Sequence, residues 1–353
     1  MNITQQRLQN QHLLEPTPDS ADNVVRWLGA MQSQDYAGAK WAIAQRCIGV
    51  SDRDLDLLFN DGRILRTHVM RPTWHFVTPQ DIRWMLKLTS ERVRRVSAYY
   101  YRKTELDERT FRRSNAAIAK ALRTGVHLTR SELAEILQKA GINASGMRLA
   151  YLVMRAELDA VICSGALRGK QFTYALLEQR VPPVKELHRE EALAELTRRY
   201  FTSHGPALLQ DFAWWSGLTV ADARMGVDMA GIGNESLKGK TYWFAASSMP
   251  VPKRGQGIYL LPNYDEYLVA YKDHDPSFDP SLLEGDRGNR SAVMVHLIVL
   301  KGQVIGGWQR TIDKTVVTIR TRLLVTLGRR ERAALDEACQ RYGMFLGKAV
   351  KLA

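Results

Sequence analysis

The sequence predicts a mainly α chain with small β wings, an α+β protein assembled from three similar modules and a more β-rich tail. Three observations lead there. Apolar residues recur at helical spacing in several short segments. Capping residues and glycines punctuate the ends of those segments. Short extended pairs around Gly- and Lys/Arg-rich tips follow the helices. The 353 residues, 45% hydrophobic and 25% charged, suit a globular protein of this kind.

The first segment covers about residues 1–80. Asp19-Ser20-Ala21-Asp22 reads as a helix start, with Val24, Val25, Leu28 and Met31 on one face. The helix is expected to end at Met31, with Gln32 to Asp35 at its mouth. Asp52 to Phe59 reads as a second helix, stopped by Asn60-Asp61-Gly62. Ile64 to Met70 and Thr73 to Val77 read as strands, broken apart by Arg71-Pro72.

The second segment is clearer. Thr129 followed by Glu132 is a capping pattern before Leu133, Ile136 and Leu137. A turn at Ala140 to Asn143 leads into a longer helix, about Ser145 to Val161, and then an extended pair runs from Val161 to Tyr174 around Arg168-Gly169-Lys170. Helix, helix, helix, wing is the winged-helix arrangement, in which one helix can enter a major groove and the wing can reach the backbone. The third segment repeats the plan. A helix over Arg189 to Phe201 is followed by one begun at Gly205-Pro206-Ala207. Thr219 and Asp222 open another, Val220 to Met229, and a strand pair turns at Leu237 to Lys240. The segments do not align residue by residue, so the repetition is architectural.

A proline-rich link, Met249 to Pro252, leads to the tail. There Ile258 to Leu261 and Val293 to Leu300 read as strands, Lys301-Gly302 as a hairpin turn, and Glu331 to Leu346 as a closing helix. The expected modules are residues 1–104, 105–185 and 186–248, with the C-terminal region at 249–353.

A net charge of +13 and a pI near 9.7 favour a polyanionic partner, most simply nucleic acid. Cys47, Cys163 and Cys339 are few and widely spaced, so neither a disulfide framework nor a zinc site is expected. The N-terminus lacks an apolar leader, and the longest apolar run is far below membrane-spanning length. A cytoplasmic monomer without metal or cofactor is the expectation.

The singular motif is Gln32-Ser33-Gln34-Asp35 after an apolar helix. Its companions are Leu65-Arg66-Thr67, Arg71-Pro72-Thr73-Trp74-His75, Gly205-Pro206 and Asp211-Phe212-Ala213-Trp214-Trp215. The tail adds Leu261-Pro262-Asn263-Tyr264-Asp265-Glu266 and Gly302 to Trp308. In this order the set resembles the AlkZ-type DNA glycosylases, tandem winged-helix proteins that excise bulky alkylated purines. The resemblance implies a C-shaped body whose basic concave face holds duplex DNA, with Gln32 and Gln34 catalytic. A related branch carries Asp at the second position, so the chain looks like the Gln-x-Gln branch. The middle position, usually apolar, is Ser33 here.

An N7-alkylated purine is a cation, and its departure from the sugar neutralises it. The enzyme then needs to place a water and stabilise an oxocarbenium-like sugar, which neutral amides with donors and acceptors suit. Asp35 is a candidate for added negative charge, or else a helix cap. Arg71, His75, Arg148, Arg155, Arg168, Lys170 and Lys301 are the candidate DNA contacts. Trp74, Trp214, Trp215 and Trp308 read as core, Asp265 and Glu266 as structural, and the basic stretch around Tyr99 to Tyr101 as a solvated helix face. With no lysine at an evident Schiff-base position, lyase activity is not expected. The competing readings are a non-enzymatic winged-helix DNA-binding protein or transcription regulator, which would need no Gln-x-Gln, and an interaction module that binds no DNA.

Overall fold

The computed structural model describes residues 2–17, 20–184, 186–246, 257–283 and 296–353. Asp19, the link Met249 to Pro252 and the expected strand residues Val293 to Val295 lie outside these. The chain is a mixed α+β protein. Its helices and strands begin with α1 (Ile3–Asn10), α2 (Ala21–Leu28), β1 (Met31–Gln32), α3 (Tyr36–Ala44), α4 (Asp52–Asn60), β2 (Leu65–His68) and β3 (Trp74–Val77). Then come α5 (Ile82–Lys103), α6 (Glu108–Leu122), β4 (Leu128–Thr129), α7 (Arg130–Lys139), α8 (Gly146–Leu158), β5 (Ile162–Ser164), β6 (Thr173–Leu176) and α9 (Leu177–Arg180). The third stretch holds α10 (Arg189–Ser203), α11 (Leu209–Ser216), α12 (Val220–Ala230), β7 (Gly233–Leu237) and β8 (Lys240–Phe244). The tail holds β9 (Ile258–Leu261), α13 (Glu266–Val269), β10 (Leu297–Leu300), β11 (Gln303–Ile312), β12 (Val316–Leu323), α14 (Arg329–Leu346) and β13 (Ala349–Leu352).

One order of elements occurs three times: helix, short lead strand, two helices, hairpin. In the first two copies the sheets run β1-β3-β2 and β4-β6-β5. In the third, Ala207 alone bridges Trp243 of the β7–β8 hairpin and serves as the lead strand. The physical reason is common to all. A two-stranded hairpin leaves its second strand with a free edge, and the lead segment fills it. The tail forms a five-stranded sheet, β13-β12-β11-β10-β9, antiparallel except between β12 and β13.

The largest core cluster runs through α5 to α12. A second joins α2 to α4 with the tail, where Trp41 meets Tyr342 at 5.0 Å between ring centroids and Tyr342 meets Trp308 at 5.1 Å. The first copy therefore packs on the tail sheet.

The expectation that the first helix runs to Met31 is corrected. It stops at Leu28, because Gly29 follows with φ +81°, a conformation that side-chain-bearing residues resist. Met31 and Gln32 are then extended and pair with Phe76 and His75. Helices α1, α3 and α6 and strands β12 and β13 add to the elements expected from sequence. The capping boxes at Thr129/Glu132 and Thr219/Asp222 form as read. Among the described residues no helix is long and apolar enough to cross a membrane, and no group of three or more His, Cys, Asp or Glu side chains is arranged to hold a metal ion.

Candidate active site

The Gln32–Asp35 turn lies where the first copy, α11 and the tail meet. Gln32 sits opposite His75 in the β1–β3 pair, and the next ladder bond runs from the Ser33 N–H to the Trp74 carbonyl at 2.8 Å. In an antiparallel pair that bonding makes Gln32 and His75 a non-hydrogen-bonded couple, so the Gln32 N–H points outward from the sheet. An edge N–H needs a partner, and the Glu266 Oε1 supplies one at 2.7 Å. The other oxygen of Glu266 accepts from the Trp215 indole N–H at 2.9 Å. His204 Nε2 lies 3.5 Å from that same oxygen. Glu266, Trp215 and His204 are all buried. Glu266, read from the sequence as structural, thus holds the backbone of the candidate turn.

The Gln32 side chain is itself mostly buried, and its Oε1 accepts from Arg71 Nη2 at 2.9 Å. Burial pulls the Arg71 guanidinium below its usual range, while the nearby Glu266 carboxylate opposes that shift. The exposed Trp214 ring stands 5.8 Å from the guanidinium carbon. This corrects Trp214 as a core residue; Trp215 and Trp308 are in the core and Trp74 is half-buried. Ser33 is fully buried, and its hydroxyl has no partner among the described residues. Its carbonyl accepts from Arg66 Nε at 3.1 Å. Arg66 lies between the Trp74 and Phe172 rings, 4.3 and 4.6 Å from their centroids. Burial lowers it to about 10.

Gln34 is exposed and makes no side-chain hydrogen bond among the described residues. Asp35 caps α3, its Oδ1 accepting from the Gly38 N–H at 3.1 Å. A Cβ at position 38 would stand 2.7 Å from Asp35 Oδ2, which is why a glycine sits inside this helix. The Asp35 carboxylate also lies 3.7 Å from Arg310 on β11.

His75 is fully buried, and burial, then the Arg71 charge, push its imidazole well below 6.5. Neutral His75 donates from Nδ1 to the Thr73 carbonyl at 2.9 Å, and its Nε2 has no partner. As a DNA contact His75 is therefore corrected: it offers no surface to a phosphate. Arg155 is corrected for the same reason. It is buried, with two bonds to Glu108 and two to Asp159. Arg148 is half-buried and bonds the Asn143 carbonyl at 3.1 Å and the Glu105 carbonyl at 3.1 Å. Arg71 is engaged by Gln32. Arg168 and Lys170 stand exposed at the β5–β6 tip, Arg168 bonded to Glu132 at 2.7 Å. Lys301 is exposed at the β10–β11 turn, 3.4 Å from Glu331. Asp265 is structural as read, with two bonds to the buried Arg46. On α5, Tyr99 and Tyr100 are exposed while Tyr101 is buried.

Three comparisons bear on this geometry. A curated relative, the interstrand DNA cross-link repair glycosylase of Streptomyces sahachiroi, is 25% identical over 334 residues, covering 88% of each chain. A solved structure, the Streptomyces sahachiroi DNA glycosylase AlkZ, superposes with a TM-score of 0.78 at 21% identity, over 100% of this chain and 98% of that one, which shows a shared fold. The sequence pattern of the family described as DNA glycosylase AlkZ-like matches residues 25–345. The chain belongs to the AlkZ-like family and is a DNA glycosylase.

Proposed function

We propose that the chain is a monofunctional glycosylase that hydrolyses the N-glycosidic bond of N7-alkylated purines in duplex DNA, with Gln32 and Gln34 as its catalytic pair. The observation that carries this reading is the turn itself: a clamped, mostly buried amide at Gln32 and an exposed, unbonded one at Gln34, two positions on. The bond between the base nitrogen and C1′ breaks with its electrons going to the base, which neutralises the N7 cation. A water oxygen bonds to C1′ and its proton leaves to solvent. The amides hold that water and the sugar, and their neutrality costs little beside a leaving group already activated. Asp35 acts by holding Gln34 at the mouth of α3.

The three recurrent units are read as winged-helix modules over residues 1–104, 105–185 and 186–248, forming with the region 249–353 a C-shaped body around duplex DNA. The strand order common to all three supports this. Arg168 and Lys170 at a wing tip, with Lys301, are the phosphate contacts. The Streptomyces sahachiroi relative is an interstrand DNA cross-link repair glycosylase, and on that ground we extend the substrate range proposed for this chain to interstrand cross-links.

The test is release of 7-methylguanine from methylated duplex DNA by the wild type and by the Gln32→Ala/Gln34→Ala double variant. Release by the wild type alone supports the reading. If a cross-linked duplex and the methylated duplex both stay intact while DNA binding persists, N7-alkylated purines are not the substrate and the reading falls.

A further inference from the structure

Gln32 is held from two sides. Its backbone N–H donates to Glu266 and its side-chain oxygen accepts from Arg71. A guanidinium carries only donors, so the amide can meet it only with oxygen, and Nε2 turns the other way. That nitrogen has no partner among the described residues, yet it is not among the atoms sealed from solvent. Two opposite charges flank the amide, Arg71 at its oxygen and Glu266 at its backbone. Arg71 has little left for a phosphate: one nitrogen is on Gln32, its Nε is buried, and Trp214 stands beside it.

We propose that Arg71 and Glu266 are positioning residues that fix the Gln32 amide with its N–H donors toward the substrate. Gln32 then works as a donor, and accepting the hydrogen bond of the attacking water falls to Gln34, whose amide is free to turn. The inference rests on the reading of Gln32 and Gln34 as the catalytic pair.

The experiment uses the full-length chain and methylated duplex DNA. It measures single-turnover 7-methylguanine release at saturating protein, together with DNA affinity and its salt dependence. Misplacing one catalytic group by about an ångström costs about 10²-fold in rate. Arg71→Met is expected to lose about that much at saturation, with affinity and salt slope unchanged, and Arg71→Lys, which keeps a donor, to recover about tenfold of it. Glu266→Gln replaces one acceptor with a donor facing an N–H and is expected to slow the same step. The two glutamines should separate as well: Gln32→Glu, which removes the donors, loses about 10²-fold, whereas Gln34→Glu, which keeps an acceptor, stays within about tenfold of the wild type. The proposal is overturned if Arg71→Met weakens binding and lowers the salt slope by about one charge at an unchanged saturated rate, the behaviour of a phosphate contact. It is also overturned if the rate returns to wild type well below the variant's melting midpoint, or if the two Glu variants are equally impaired. Release that survives Gln32→Ala/Gln34→Ala would sink the catalytic pair itself, a separate failure.

Discussion

The first and second copies differ in how a lead strand hands over to a helix. In the second, β4 runs straight into α7: Thr129 ends the strand and caps the helix, its Oγ1 accepting from Glu132 N–H at 3.3 Å while Glu132 returns to the Thr129 N–H at 2.7 Å. In the first, β1 ends at Gln32 and the cap is Asp35, with Ser33 and Gln34 in between. The two intervening residues break the handover. One side chain goes inward, Ser33, and the next goes out to solvent, Gln34. A scaffold that closes directly onto its cap in one copy opens, in the other, into a turn with Gln32 buried and Gln34 exposed, because its strand and its cap are pulled apart.

Equivalent truncations at the two handovers sharpen this contrast most. Gln34→Ala is expected to lower the single-turnover rate by about 10²-fold or more with no change in melting temperature. Thr129→Ala should do the reverse, costing about 1 kcal/mol of stability with the rate unchanged. Equal stability losses in a urea titration would erase the distinction.

Acid tests the surroundings of the first turn. His75 and His204 are fully buried and His296 partly so; burial lowers all three below 6.5, His296 to about 4. Each stays neutral in the folded chain at a pH where the unfolded chain binds a proton. Stability is therefore complete above about pH 6.5 and falls as the pH drops below it, the His296 contribution levelling near pH 4. Urea midpoints between pH 7.5 and 4.5 measure the decline, with about one proton less of slope expected for His75→Gln. A flat profile would contradict the burial of these rings.

The smallest effect concerns the middle of the motif. The Ser33 hydroxyl is buried without a partner, so Ser33→Ala is expected to raise stability by about 1 kcal/mol. Calorimetry would detect it, and a loss instead would mean that the hydroxyl has a partner.

What was legible in the sequence was local. Capping boxes at Thr129 and Thr219, the glycine-marked hairpins and the closing helix α14 are written in neighbouring residues. What was not legible answers to tertiary demands. Helix α1 buries Arg7, Gln9 and Asn10, so its inward face does not read as apolar. Arg7 bonds the Pro206 carbonyl at 2.9 Å and Asn10 the Gly205 carbonyl at 2.8 Å, partners that sequence spacing does not reveal. Met31 satisfies a helical period yet forms a strand, because the edge of β3 needs pairing. The Gln-x-Gln turn could be found by its residues and its family likeness. Its clamp could not, since Arg71 stands 39 positions away and Glu266 234. The exposed Trp214 beside the buried Trp215 shows the same limit, for two adjacent indoles carry no sign of which faces water.

The long reach from Gln32 to Glu266 also has a consequence in time. At about 5–20 residues per second of synthesis, the ribosome makes Glu266 roughly 10 to 50 seconds after Gln32. During that interval the nascent first copy has its glutamines without the carboxylate that anchors their strand, and without the tail sheet on which it packs. Anchoring of the strand that carries Gln32 is then acquired late, as a property of the nearly finished polypeptide.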